Sequence, residues 1–115
     1  MVDHARLPWP TRDAWQGIAA TGTFGAAGAP GITVDLHTGL GLASLIAAPG
    51  DTTLAKALVS RIGLAPRDTP RAALSADHGV IWSGPGRWLL LARKRDGFAA
   101  LLKDLAGTAA ISDQS

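Results

Sequence analysis

The chain has 115 residues, enough for one domain that buries about two-thirds of its unfolded surface. An apolar share of 47% with 17% charged residues describes a globular protein, and the net charge of +2 comes from scattered basic residues, not the concentrated patch that nucleic-acid binding requires. Cysteine is absent, which excludes disulfides, thiolate zinc sites and cysteine nucleophiles together.

Residues 1–31 read as an extended arm. Leu7-Pro8-Trp9-Pro10 favours extended backbone, because each proline restricts itself and the residue before it. Asp13 to Ala20 has room for a short helical turn, and Gly22 to Gly31 carries glycine or proline every two or three positions, as linkers do. The glycines at 22, 25, 28 and 31 lack the strand, the helix and the Lys-Ser/Thr pair of a phosphate loop. Trp9 and Trp15 stand out in this arm, to be buried either by folding back on the domain or by docking on a partner.

From residue 32 the pattern becomes that of an α+β domain, 32–115. Ile32 to His37 alternates apolar and polar residues as a half-buried strand does, and Leu40 to Ala48 reads as a second, buried strand. The Gly39-Leu40-Gly41 stretch lacks the third glycine and the acidic residue of a dinucleotide fingerprint. Asp51 is placed to cap a helix over Thr52 to Ile62, with Leu54, Leu58 and Ile62 on one face; Gly63 ends it and Pro66 prevents resumption. Residues 64–77 read as a connector. Val80 to Ala92 is a β-hairpin around Gly84-Pro85-Gly86, with Pro85 and Gly86 suited to the central positions of a type II turn. Its second arm, Trp88 to Ala92, is apolar on both faces and belongs at the centre of a sheet. Asp96 then caps a helix with Phe98, Leu101, Leu102 and Leu105 inward, Gly107 closes it, and Thr108 to Ser112 is a last short strand.

That order predicts a ferredoxin-like βαββαβ sandwich with an extra N-terminal strand at 32–37. Two helices cover only one sheet face, so the arm, another domain or a partner chain must cover the other. Self-association is the expectation for the isolated chain. No signal segment and no apolar run of membrane-spanning length occurs, so the cytoplasm is expected. His4, His37 and His78 are not spaced as ligands, no Gly-x-Ser-x-Gly elbow exists, and no two aspartates stand out as a catalytic pair. No catalytic, cofactor-binding or metal-binding residue is assigned.

Trp82-Ser83-Gly84-Pro85-Gly86-Arg87-Trp88-Leu89 resembles the gamma subunit of heterotetrameric sarcosine oxidase. Thr38 to Ser44, the Ala- and Leu-rich helix around 98–106, and Ser112-Asp113-Gln114-Ser115 look like the same family, so the resemblance spans about residues 32–115. The family is in turn similar to the folate-binding aminomethyltransferase of the glycine cleavage system. The resemblance implies a non-catalytic subunit of an enzyme that demethylates sarcosine oxidatively to glycine. It would pack against the folate-handling part of the alpha subunit, with beta and delta subunits completing the complex. Flavins, NAD and tetrahydrofolate would then sit in the partner subunits and none in this chain. Family members continue past the Ser-Asp-Gln-Ser strand, so the chain reads as truncated there. Trp9, Trp15, Trp88, Leu90, Asp113, Gln114 and Ser115 are the expected subunit contacts. Two rival readings are a free-standing ferredoxin-like module that binds a small molecule or itself, and an autonomous folate enzyme.

Overall fold

The computed structural model describes residues 12–115, which fall into two compact units that divide between Thr38 and Gly39. Among the described residues it is an α+β structure with two antiparallel sheets and two helices.

The first unit holds a two-stranded sheet, β1 (Gly22–Ala26) and β2 (Ala29–Val34), joined by a tight turn at Ala27 and Gly28. This is the stretch expected to be a linker, and the strand expected at 32–37 starts and ends earlier. Thr23-Phe24 and Ile32-Thr33-Val34 supply the β-branched and aromatic residues that pairing needs. The glycines and Pro30 are accommodated at a register shift, where Gly25 faces Pro30. Phe24 lies opposite Ile32, yet the two remain 50% and 62% exposed, and β2 joins only β1, not the larger sheet.

The second unit is a five-stranded sheet in the order β4-β5-β6-β3-β7. Its elements are β3 (Gly41–Ile46), α1 (Thr53–Ile62), β4 (Ala72–Leu74), β5 (His78–Gly84), β6 (Arg87–Ala92), α2 (Phe98–Leu105) and β7 (Ala110–Asp113). As its all-apolar run requires, β6 is central, flanked by β5 and β3. The small edge strand β4 lies within the expected connector 64–77. Arg71-Ala72-Ala73-Leu74 has little β preference of its own, and the strand exists because Ala72, Ala73 and Leu74 pair with Ile81, Val80 and Gly79.

Alternation along the strands sends Ala43, Leu45, Val80, Trp88, Leu90 and Ala92 to one face, where they meet Leu54 and Leu58 of α1 and Phe98 and Leu105 of α2. Each such large side chain, buried to a few per cent exposure, contributes about 1.5–3 kcal/mol. Val59, expected near the apolar stripe of α1, is instead half-exposed. Both helix starts differ from the sequence reading by one residue. Thr52 is the N-cap of α1, and Asp51 acts from just outside, accepting bonds from the Thr53 N–H and hydroxyl. Gly97, at φ +76°, precedes α2 where Asp96 was expected. Gly63 ends α1 at φ +71° as its sequence position foretells, its N–H donating to the Val59 carbonyl.

Gly41 has a packing role that removes any need for a nucleotide-loop explanation. A Cβ there would lie 2.5 Å from the Phe98 ring, so the missing side chain is the ring's seat on the sheet. Gly41→Ala should therefore destabilise the domain by about 1–3 kcal/mol, the usual cost of overpacking. Gly31→Ala, which meets nothing within 4 Å, should leave the melting temperature unchanged; equal melting curves for the two variants would refute the ring seat.

Candidate interaction surface

The hairpin between β5 and β6 is tied down on three sides. Its two-residue loop is Pro85-Gly86, with Gly86 at φ +67° as a type II turn demands. Type II geometry fits the twist of a two-residue hairpin poorly, and the strands shift register between Trp82 and Gly84, leaving Ser83 as the extra residue. The Gly86 carbonyl accepts the Ala47 N–H at 2.9 Å, and a Cβ on Gly86 would stand 2.8 Å from the Ala47 oxygen. From the other side, Asp68 accepts both the Gly86 N–H and the Trp82 indole N–H, each at 2.9 Å. The Trp88 indole donates to the Arg67 carbonyl at 3.1 Å. Both tryptophans of the hairpin thus bond to consecutive residues of the 64–71 segment. These bonds, the Gly86 backbone one first and the Trp82 one second, hold the Asp68 carboxyl below its ordinary range.

The terminal Ser-Asp-Gln-Ser is fastened to β3. Ser112 and Asp113 pair with Ser44 and Ala43, the Gln114 N–H donates to the Leu42 carbonyl at 2.7 Å, and the Leu42 N–H donates to the Ser115 hydroxyl at 2.9 Å. The Asp113 carboxyl is lowered by the Ser115 backbone N–H and then by the Ser115 side chain, with Arg95 nearby adding to it. Asp51 is lowered by the Thr53 hydroxyl and N–H. Each of these perturbed carboxylates closes a local turn or tie.

The sheet face opposite the helices carries Leu42, Ser44 and Ile46 of β3, Arg87, Leu89 and Leu91 of β6, Ile81 of β5 and Leu74 of β4. Leu42, Ile81, Leu89 and Leu91 are half-buried, whereas Ile46 and Leu74 are 46% and 67% exposed. Of the tryptophan and leucine pair expected at a subunit contact, Trp88 and Leu90 are instead 8% and 0% exposed beneath the chain's own helices. The open positions of the same strand are Leu89 and Leu91, one residue out of phase. Trp15 is 62% exposed in the first unit, and Trp9 lies outside the described residues. Asp113, Gln114 and Ser115 are exposed at the β7 end of the second unit's sheet.

Open clefts occur in both units. One of about 160 Å³ is lined by Pro66, Arg67, Arg71, Val80 and Trp88, and one of about 240 Å³ by Pro49, Asp51, Pro66, Asp68 and Gly86. A third, of about 530 Å³, lies in the first unit beside Asp13, Trp15, Leu36 and His37. Among the described residues no three His, Cys, Asp or Glu gather as metal ligands, and no helix is long and apolar enough to cross a membrane. Asp68 is the residue that sequence reasoning missed: between Pro66 and Pro70 it resembles any loop aspartate, and only the fold brings it to Trp82.

No family model matches the chain, and no curated protein matches it. Among solved structures it is similar to a chain of the heterotetrameric sarcosine oxidase from Corynebacterium sp. U-96 in complex with pyrrole 2-carboxylate, at 28% identity and a TM-score of 0.51. The match covers 65% of this chain and 40% of that one, so the chain spans less than half of the neighbour it matches.

Since Asp68 has a lowered pKa when folded, its stabilising bonds are fully present above the unfolded value, about 3.9, and are lost as pH falls through the folded one. Asp68→Asn should melt earlier than the parent at about pH 6, and the gap should narrow progressively as pH falls below the unfolded carboxyl value of about 3.9. Urea unfolding across that range decides it; a gap independent of pH would exclude the charged tie.

Proposed function

We propose that the chain is a non-catalytic, gamma-type subunit of a heterotetrameric sarcosine oxidase, an enzyme that converts sarcosine oxidatively to glycine. The observation that carries this reading is the 28% identical structural match to a chain of such an enzyme. The signature hairpin and the terminal Ser-Asp-Gln-Ser both belong to the 39–115 sheet, joined to β3 from its two sides. The two coverages make the matched neighbour roughly 1.6 times the length of this chain, the size of a small subunit and not of a large flavin carrier. The strand order β5-β6-β3-β7, with α1 and α2 in the connections, supports the ferredoxin-like arrangement, with β4 added at one edge.

In this reading the alpha, beta and delta subunits are the partners, and flavin, NAD and tetrahydrofolate belong to them. The chain's contribution is a shaped surface. Its perturbed aspartates are each engaged in holding a turn or strand end, which supports a structural role over acid–base work.

The full chain, expressed with the alpha, beta and delta subunits of the sarcosine oxidase of its own organism, should copurify in fixed stoichiometry with a flavin-containing complex that turns over sarcosine. Alone it should show neither a flavin spectrum nor turnover. Failure to enter the complex would overturn the subunit reading; sarcosine oxidation by the chain alone would overturn the non-catalytic one.

A further inference from the structure

We infer that the sheet face opposite the helices is the docking surface for a partner subunit, and that the partner meets it with an apolar patch bearing a carboxylate opposite Arg87. The inference rests on the subunit reading above and adds where the contact is made and what chemistry it requires.

The face is a continuous lattice across the middle of the sheet. Leu42 stands beside Leu91, Leu89 beside Ile81, and Ile46 beside Arg87. Both helices pack on the other side, where α1 and α2 supply Leu54, Leu58, Phe98 and Leu105 to the core. A central strand that is apolar on both faces needs cover on both, and an apolar patch with a polar edge is the usual mark of a contact surface.

The charge on this face selects the occupant. Its strand positions include Arg87, Ser44 and Ser112 but no carboxylate. Arg87 is exposed, and its guanidinium makes no hydrogen bond or ion pair with another described residue. Two copies stacked by this face would bring in two guanidinium groups with no counter-charge from either strand set, and an unpaired charge taken out of water is strongly penalised. A different chain can place an Asp or Glu opposite Arg87, whose planar fork matches a carboxylate. The hairpin signature acquires a reason as well. The tie of Asp68 to Gly86 and Trp82 holds the turn from which Arg87, the first residue of β6, projects.

The test uses the full chain coexpressed with the other three subunits. Leu91→Asp and Arg87→Glu should each lower the amount of chain recovered in the complex by tenfold or more, as loss of a central contact does. Val59→Asp, on the outward side of α1, should leave recovery unchanged. Circular-dichroism melting of each isolated variant separates misfolding from lost docking, and Arg87→Glu, at an exposed position, decides the matter where Leu91→Asp does not fold. Parent and face variants incorporated equally would overturn the docking surface and leave the subunit reading standing. A parent chain that never enters the complex would overturn both. If the isolated chain sediments as a dimer that Leu91→Asp disperses, the face belongs to a second copy and the proposed partner is wrong.

Discussion

Gly86 is the point on which the second unit depends. Its N–H is held by Asp68, its carbonyl by the Ala47 N–H, and its Cα faces the Ala47 oxygen so closely that a side chain has no room. Three separate stretches of chain converge there: the hairpin, the end of β3, and the segment after α1. Because the turn also needs a positive φ, sterics and backbone conformation independently demand glycine at the same position. The Trp82 and Trp88 indoles extend the junction, so each of the two rings also has its one polar atom satisfied.

From that junction β6 runs through the centre of the sheet with two different environments. Trp88, Leu90 and Ala92 enter a core sealed by both helices, and Leu89 and Leu91 lie on a face with no helix of its own. Packing on one side makes the strand's position stable, which leaves the other side available without loss of the fold. The arrangement suits the proposed role of a subunit that presents a surface. Polar groups near the hairpin are used in holding its turn: the aspartates with altered acidity close ties and turns, Asp51 and Asp68 doing so at the edge of the cleft of about 240 Å³.

The first unit follows a different logic. Its two strands pair through their backbones, but none of the described residues there is fully buried, and Phe24, Ile32, Trp15 and Ile18 keep half or more of their surface exposed. A two-stranded ribbon has too little apolar contact to be stable by itself. Local pairing is nevertheless enough to turn a Gly- and Pro-rich stretch into β structure, because the register shift at Gly25 and Pro30 places the residues that pair badly opposite one another.

What the sequence determined by itself was the local grammar. Gly63 at the end of α1, Pro85-Gly86 in the turn, the inward leucines of both helices and the centrality of Trp88 to Ala92 all follow from backbone sterics and periodicity acting within a few residues. The hairpin and terminal motifs also carried the resemblance that the structural match supports in its coarser form. Choices between equivalent options were left to the tertiary structure. Alternation states that Trp88 and Leu90 share one face and Leu89 and Leu91 the other, but the helices could have covered either pair. The pair with the tryptophan went inward, where Arg67 offers the Trp88 indole a carbonyl acceptor. Strand β4 and the role of Asp68 were illegible for the same reason: Ala72 to Leu74 and a loop aspartate have no strong preference of their own, and their conformation is set by partners distant in sequence. Non-local pairing decides such positions, because the free energy that fixes them resides in the partner and not in the residue.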